Sequence, residues 1–194
     1  VTLALARPDT ANALGAQMKS DLVHALGRAP RDGRVAVITG LGAAFSAGQD
    51  FGDAPNLRDI DLGRTQREET APLLAALAEC GVPTLAAVNG AAAGAGAALA
   101  LAADVAVAAE SASLSLPGAR VGLPPDAGLS WLTTAAAGPA RARGLALFAE
   151  PVAARTAADW GLIWEAVPDA LFAQTAAMRA AALAAGPREA FLAI

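Results

Sequence analysis

The spacing of hydrophobic positions changes period repeatedly along the chain. Residues 1–5 are a short apolar run, stopped at Arg7-Pro8, and predict a strand. Leu14, Met18, Leu22 and Leu26 then recur at every fourth position, which is one face of a helix. Lys19, Asp21 and Arg28 fall off that stripe and are expected on its solvated sides, as is His24. Pro30 and Gly33 should close this unit.

Residues 35–38 read as a buried strand ending at Thr39-Gly40, followed by a glycine-rich loop over 41–52 and a polar loop over 53–67. A helix is expected over 70–79, a strand over 84–88, a turn at Asn89-Gly90, a helix over 91–102 and a strand over 105–108. Beyond the Pro- and Gly-punctuated stretch 117–128, helices are expected at 129–137, 140–148 and 153–160, a short strand at 163–167 and a last helix at 174–185. Strand, loop and helix alternate throughout, which favours an α/β architecture with crossover connections. No internal repeat and no linker divides the chain, so 1–194 is expected to be a single domain.

Composition narrows the function. Aromatic residues are only 4% of the 194, so the core must be built from small aliphatic side chains that let backbones approach closely. The net charge of -4 argues against nucleic acid as a partner. Cys80 is the single cysteine, which excludes a disulfide framework and a paired-cysteine metal site; it reads as a small buried hydrophobe. The apolar run 90–103 is mostly Ala and Gly, too short and too weakly hydrophobic to span a bilayer. A basic leader followed by an apolar core is not seen, so a cytoplasmic protein with no membrane partner is expected.

Two glycine loops carry the candidate chemistry. Gly40-Leu41-Gly42 follows a strand, as a dinucleotide fingerprint would, but the third glycine position is Phe45 and Ser46-Ala47-Gly48 interrupts any helix start. Asp59 and Asp61 lie in the polar loop rather than at a strand end, and no Gly-Lys-Ser/Thr phosphate loop occurs. The second loop runs Asn89-Gly90-Ala91-Ala92-Ala93-Gly94-Ala95-Gly96 and leads into a helix, whose first amides lack helical acceptors. Two strand-end loops with free N–H groups suggest a two-amide hole for an oxygen that gains negative charge.

At these residues the sequence resembles the crotonase superfamily, the enoyl-CoA hydratase/isomerase family. The match runs in order through Arg7-Pro8, Asn12-Ala13-Leu14, Val37-Ile38-Thr39-Gly40 and Ala44-Phe45-Ser46-Ala47-Gly48-Gln49-Asp50. It continues through Pro83, Ala86-Ala87-Val88-Asn89-Gly90, Gly94-Ala95-Gly96, Leu99-Ala100-Leu101-Ala102, Asp104, Gly122-Leu123 and Pro125. The resemblance implies the crotonase-like spiral of repeated β-β-α units and an acyl-CoA thioester substrate, with coenzyme A as part of the substrate and no separate cofactor or metal. It implies two backbone amides on the thioester oxygen, carried over to Ala47 and Ala95. The substrate-binding set it implies is Ala11, Phe45, Ala47, Gly48, Gln49, Asp50, Phe51, Gly94, Ala95, Ala98, Pro117, Gly118 and Val121. It further implies a homotrimer or a dimer of trimers, packed partly by C-terminal helices that this stretch of sequence is expected to lack.

The departures from the family pattern decide the reaction expected. The two glutamates that hydratases of the family use would fall at Ala98 and Gly118, neither of which titrates. Asp126 stands where double-bond-shifting members carry an acidic residue and is the expected acid/base; its other reading is a turn or helix-cap residue. Phe45 to Asp50, Ala92 to Ala97, Pro125-Asp126, Trp131-Leu132, the 141–147 run and the 160–164 run resemble a narrower subgroup, the ring 1,2-epoxyphenylacetyl-CoA isomerases. The expected activity is therefore acyl-CoA isomerisation. Two alternatives stand beside it: hydration or thioester hydrolysis through Glu68 and Glu69, and acyl-CoA binding without catalysis.

Overall fold

Strand β4 (Thr84–Val88) is buried along its whole length, which is why its sequence is a continuous apolar run rather than an alternation. It is the centre of a parallel sheet ordered β1 (Thr2–Leu5), β2 (Ala36–Gly40), β4, β6 (Val105–Ala109) and β9 (Glu165–Val167). A computed structural model describes residues 1–52 and 60–193. Residues 53–59 of the polar loop expected over 53–67 lie outside it.

From β2, β4 and β6 the chain turns sharply into a second sheet, ordered β3 (Ala44–Ser46), β5 (Ala91–Ala93), β7 (Ser113–Ser115) and β8 (Val152–Ala153). Helices return it to the first sheet, so each unit is β-β-α and the whole is a spiral of stacked turns. Gly90 makes one of these turns possible: a Cβ there would lie 2.0 Å from the Ala43 carbonyl oxygen. Asn89 ties this turn to the one before it, accepting from the Gly40 amide at 2.9 Å and donating to the Gly42 carbonyl at 3.0 Å.

Several expectations change. The stretch 91–102 is not one helix. Ala91–Ala93 pairs as β5 with β3 and β7, and helix α4 (Ala95–Leu101) starts after Gly94 at φ 50°. An all-alanine stretch carries no period of its own, so the neighbouring strands decide its form. Strand β7 is three residues long, too short to show an alternation. Helix α1 (Ala16–Asp32) runs through Pro30 and is capped by Gly33, while Leu14 precedes it. Its Lys19 is 1% exposed, not solvated.

The part of the expected polar loop from residue 62 onward is helical: α2 (Leu62–Thr65) and α3 (Ala71–Ala78) are joined by a π-helical turn, Gln66–Thr70, which widens the helix by one residue. Helix α5 (Leu129–Phe148) breaks at Gly138, φ 80°, just before Pro139, where two helices were expected to meet. Helices α6 (Ala154–Asp159), α7 (Asp169–Ala185) and α8 (Arg188–Phe191) complete the chain's described part. The core is Leu, Val, Ile and Ala with Phe45 at its centre, as the shortage of aromatics requires. Among the described residues no helix is long and apolar enough to cross a membrane.

Candidate active site

The glycine loop after β3 is held rigidly by hydrogen bonds to the segment before α1. Asn12 is fully buried at φ 57°, and its carboxamide donates to the Leu41 and Ala44 carbonyls, both at 2.9 Å. The Ser46 hydroxyl donates to the Asn12 carbonyl at 2.9 Å and accepts from the Gly48 amide at 3.2 Å. The Ala47 amide donates to the Ala11 carbonyl at 2.8 Å. Leu14 donates to the Gly48 carbonyl at 2.7 Å and accepts from the Asp50 amide at 3.2 Å.

That pattern is a parallel bridge between Leu14 and Gln49, in which Gln49 turns its own N–H away from Leu14. The amides of residues 47, 48 and 50 are thus engaged, whereas that of Gln49 has no acceptor among the described residues. Ala47 was expected to offer its amide to an oxyanion, but its hydrogen is given to the Ala11 carbonyl, and the unengaged amide of the loop is that of Gln49. The correction was not legible in the sequence, because only the pairing with residues 11–14 distinguishes one amide of the loop from the next.

The amide of Ala95, the second expected donor, is unengaged. Ala95 opens α4, so its amide has no intrahelical acceptor, and it has no other among the described residues. Gly48 brings the two donors together. It sits at φ 89°, and a Cβ on it would lie 2.4 Å from the Ala93 carbonyl oxygen and 3.1 Å from the Ala95 nitrogen.

Both amides border a cavity of about 270 Å³ with a largely apolar lining. Ala47, Gln49, Phe51, Gly94, Ala95, Pro117, Gly118, Val121 and Asp126 line it, as the sequence suggested. Leu116, Arg120, Leu123, Pro124, Pro125 and Leu129 also line it and were not foreseen. The rest of the expected set lies elsewhere. Phe45 and Ala98 are wholly buried in the core, and Ala11 and Gly48 contribute backbone contacts behind the loop. Asp50 is bound 2.5 Å from Arg7, whose guanidinium holds its carboxyl below the usual range.

Asp126 is the one carboxylate on this cavity among the described residues. Burial pushes its carboxyl above the ordinary carboxylate range, against the opposing pull of its own backbone amide, the Lys19 ammonium and Gln66. Gln66, on the π-turn, donates from Nε2 to Oδ2 of Asp126 at 2.7 Å. A donor to one oxygen leaves the other free to exchange a proton with a ligand. No group of metal-ligating side chains occurs among the described residues.

The family model described as enoyl-CoA hydratase/isomerase matches residues 1–194. The chain belongs to the enoyl-CoA hydratase/isomerase family. It is 52% identical over 192 residues to a Rhodobacter capsulatus protein named probable enoyl-CoA hydratase, covering 99% of this chain and 74% of that one. It is 41% identical over 192 residues to the 1,2-epoxyphenylacetyl-CoA isomerase of Escherichia coli, covering 96% of this chain and 73% of that one. The crystal structure of a monofunctional enoyl-CoA isomerase from Mycobacterium smegmatis superposes with a TM-score of 0.81 at 31% identity, covering 97% of this chain and 82% of that one. That of an enoyl-CoA hydratase from Mycobacterium avium subsp. paratuberculosis gives 0.87 at 32%, covering 99% and 76%. The fold is therefore the crotonase-like spiral, and the chemistry of this family member is the processing of acyl-CoA thioesters.

Within the family, the two positions where hydratase glutamates were expected are closed in this member. Ala98 is wholly buried in α4. A Cβ on Gly118 would lie 2.7 Å from the Leu123 carbonyl oxygen, because the Pro117–Val121 turn folds back on itself. The candidate substitutes Glu68 and Glu69 are also committed. Glu68 pairs with Arg64 at 3.3 Å, and Glu69 lies 3.2 Å from both Lys19 and Arg64. Neither lines the cavity.

Proposed function

We propose that this protein is an acyl-CoA isomerase that moves a proton between two carbons of a bound thioester. The observation that carries this reading is that Asp126 is, among the described residues, the one carboxylate on a cavity bordered by two unengaged amides. The thioester oxygen accepts from the Gln49 and Ala95 amides, which lowers the pKa of the adjacent carbon; one such donor is worth about 2.7–4 kcal/mol in the transition state. The free oxygen of Asp126 takes a proton from that carbon or its vinylogous neighbour. The C–H electron pair enters the conjugated system and its charge rests on the thioester oxygen. Asp126 then returns the same proton to the other carbon, and the C=O bond re-forms.

A proton shift needs one acid/base group, because the proton goes back to the substrate. Hydration needs a second group to activate water, and the closed positions at Ala98 and Gly118 argue against one. The apolar lining suits an unsubstituted enoyl chain or a ring, and the cavity is smaller than the roughly 300–1,000 Å³ of a drug-sized ligand site, so it takes the acyl end alone. The match to the Escherichia coli enzyme favours a second substrate, 1,2-epoxyphenylacetyl-CoA, whose ring expansion Asp126 would assist at the epoxide oxygen.

The deciding experiment offers the purified protein 3-enoyl-CoA, 2-enoyl-CoA and the ring epoxide, and follows products by mass. Double-bond migration or oxepin formation without a gain of water supports the reading. Gain of one water from 2-enoyl-CoA as the main reaction overturns it in favour of a hydratase. Tight thioester binding with no turnover of any of the three overturns it in favour of a binding protein.

A further inference from the structure

Lys19 is the one lysine of this sequence, and it is 1% exposed. An ammonium is rarely left so deep, since taking it out of water is unfavourable even when it is paired. Its Nζ donates to Oε1 of Gln49 at 2.5 Å and to Oε2 of Glu69 at 3.2 Å. Those two partners belong to different segments of the chain beside the site. Gln49 carries the unengaged amide of the glycine loop. Glu69 sits in the π-turn, three residues after Gln66, which holds Asp126 at 2.7 Å. Short π-helical turns are a recurrent way of re-aiming side chains at functional sites, and here the turn aims Gln66 at the cavity and Glu69 at the lysine.

We propose that Lys19 is a positioning residue that locks the oxyanion donor to the holder of the acid/base: its ammonium fixes the Gln49 segment on one side and, through Glu69, the π-turn bearing Gln66 on the other. This rests on the proton-transfer role given to Asp126. A displacement of about 1 Å between two reacting groups costs on the order of 100-fold in rate, so a rigid tie between segments drawn from distant parts of the chain has kinetic value. Gln49 is further fixed by its own Nε2, which donates to the Asp50 carbonyl at 2.7 Å.

The lysine also acts through space. Among the described residues, Lys19 from α1 acts on the Asp126 carboxylate, Glu69 of the α2–π–α3 segment is paired with Lys19 and Arg64, and Arg120 lines the same cavity. The Lys19 charge favours the ionised carboxylate, and the Glu69 charge is paired with Lys19. Removing the positive charge therefore makes Asp126 harder to ionise, whereas removing the negative charge of Glu69 makes it easier.

The test compares Lys19→Met, Glu69→Gln and Gln66→Leu in two ways. The first is direct: the Asp126 carboxyl is titrated by carbon NMR in unliganded protein, which needs no activity. Lys19→Met and Gln66→Leu should each move its midpoint up, by about half a pH unit or more, and Glu69→Gln should not. The second is kinetic, on the thioester the wild type turns over. Lys19→Met should lower kcat on the order of 10- to 100-fold while KM changes less, and should carry the acid limb of kcat/KM upward with the NMR midpoint. An unmoved Asp126 midpoint in both Lys19→Met and Gln66→Leu overturns the proposal. So does a loss of thermal stability in Lys19→Met with unchanged kcat and pH profile, which marks a purely structural lysine. If Lys19→Met does not fold, Gln66→Leu and Glu69→Gln, with their opposite expected signs, carry the test. Absence of any wild-type turnover would strike the isomerase reading alone, because the NMR titration still decides the tie.

Discussion

Ala47 gives its amide hydrogen to the Ala11 carbonyl at 2.8 Å, and that bond decides which peptide of the glycine loop faces a ligand. With 47, 48 and 50 engaged, the loop offers Gln49, and Gly48 sets it against the start of α4. A structure with a non-hydrolysable enoyl-CoA analogue should place the thioester oxygen about 3 Å from the Gln49 and Ala95 nitrogens. An oxygen on the Ala47 nitrogen, with the Ala11 bond broken, would refute this assignment.

Gly48→Ala tests the same contact from the other side. At φ 89°, with the Ala93 carbonyl 2.4 Å from where the Cβ must go, the loop has to move. The strained backbone and the collision together should lower unfolding stability by about 2 kcal/mol or more, read by denaturant titration. Because the displacement also separates the two amides, kcat should fall far more than thioester affinity. A variant of native stability and turnover would show that the close approach is dispensable.

Asp126→Asn should abolish isomerisation to the extent that a single acid/base contributes, about 10²- to 10⁴-fold, with CoA-thioester affinity retained. Its stability has a definite sign. Burial raises the folded-state pKa, so between the ordinary carboxylate range and that raised value the folded protein binds more protons than the unfolded chain. Wild-type stability therefore falls as pH rises through this window. The asparagine variant, which has no charge to bury, should be the more stable protein at neutral pH and lose its advantage in acid. Thermal melts of the two proteins across pH check this, and kcat/KM of the wild type should rise over the same window.

Asp50 runs the opposite way. The Arg7 guanidinium and the Gly52 amide lower its carboxyl, so its contribution is present above the ordinary carboxylate range and is lost as pH falls through the lowered value. Arg7 is 41% exposed, so the pair is screened and worth only about 0–1 kcal/mol. Arg7→Ala should cost about that at neutral pH, and the cost should shrink in acid.

Much of this site could be read from residue types, and the remainder depended on partners. Asp126 and Ala95 stood out because a carboxylate among prolines and an alanine after Gly94 are where the resemblance looked for them. Gln66 did not, since a glutamine in a polar stretch has no signature until a π-turn aims it. Lys19 was read as solvated because it lies off the Leu stripe of α1. The helix is in fact covered on that flank by the α2–π–α3 segment, and a charge buried by a distant segment leaves no mark on local periodicity. The same limit explains β5. Ala91-Ala92-Ala93 is compatible with either structure, and only its neighbours β3 and β7 make it a strand.

The two small residues at the expected hydratase positions lead to a last prediction. Installing both glutamates, Ala98→Glu and Gly118→Glu, should not confer hydration of 2-enoyl-CoA. At 98 the side chain enters a fully buried part of α4, so the carboxyl is either neutral or strongly destabilising, on the order of 3 kcal/mol or more. At 118 the first carbon already collides with the Leu123 carbonyl, and relieving that contact shifts Leu123 through Pro125, the residues that lead into Asp126. The double variant should therefore lose isomerase turnover and stability together, measured by product analysis and denaturant melts. Appearance of hydratase activity in a stable double variant would mean that the turn opens at little cost, and the argument against hydration in the wild type would lose its steric half.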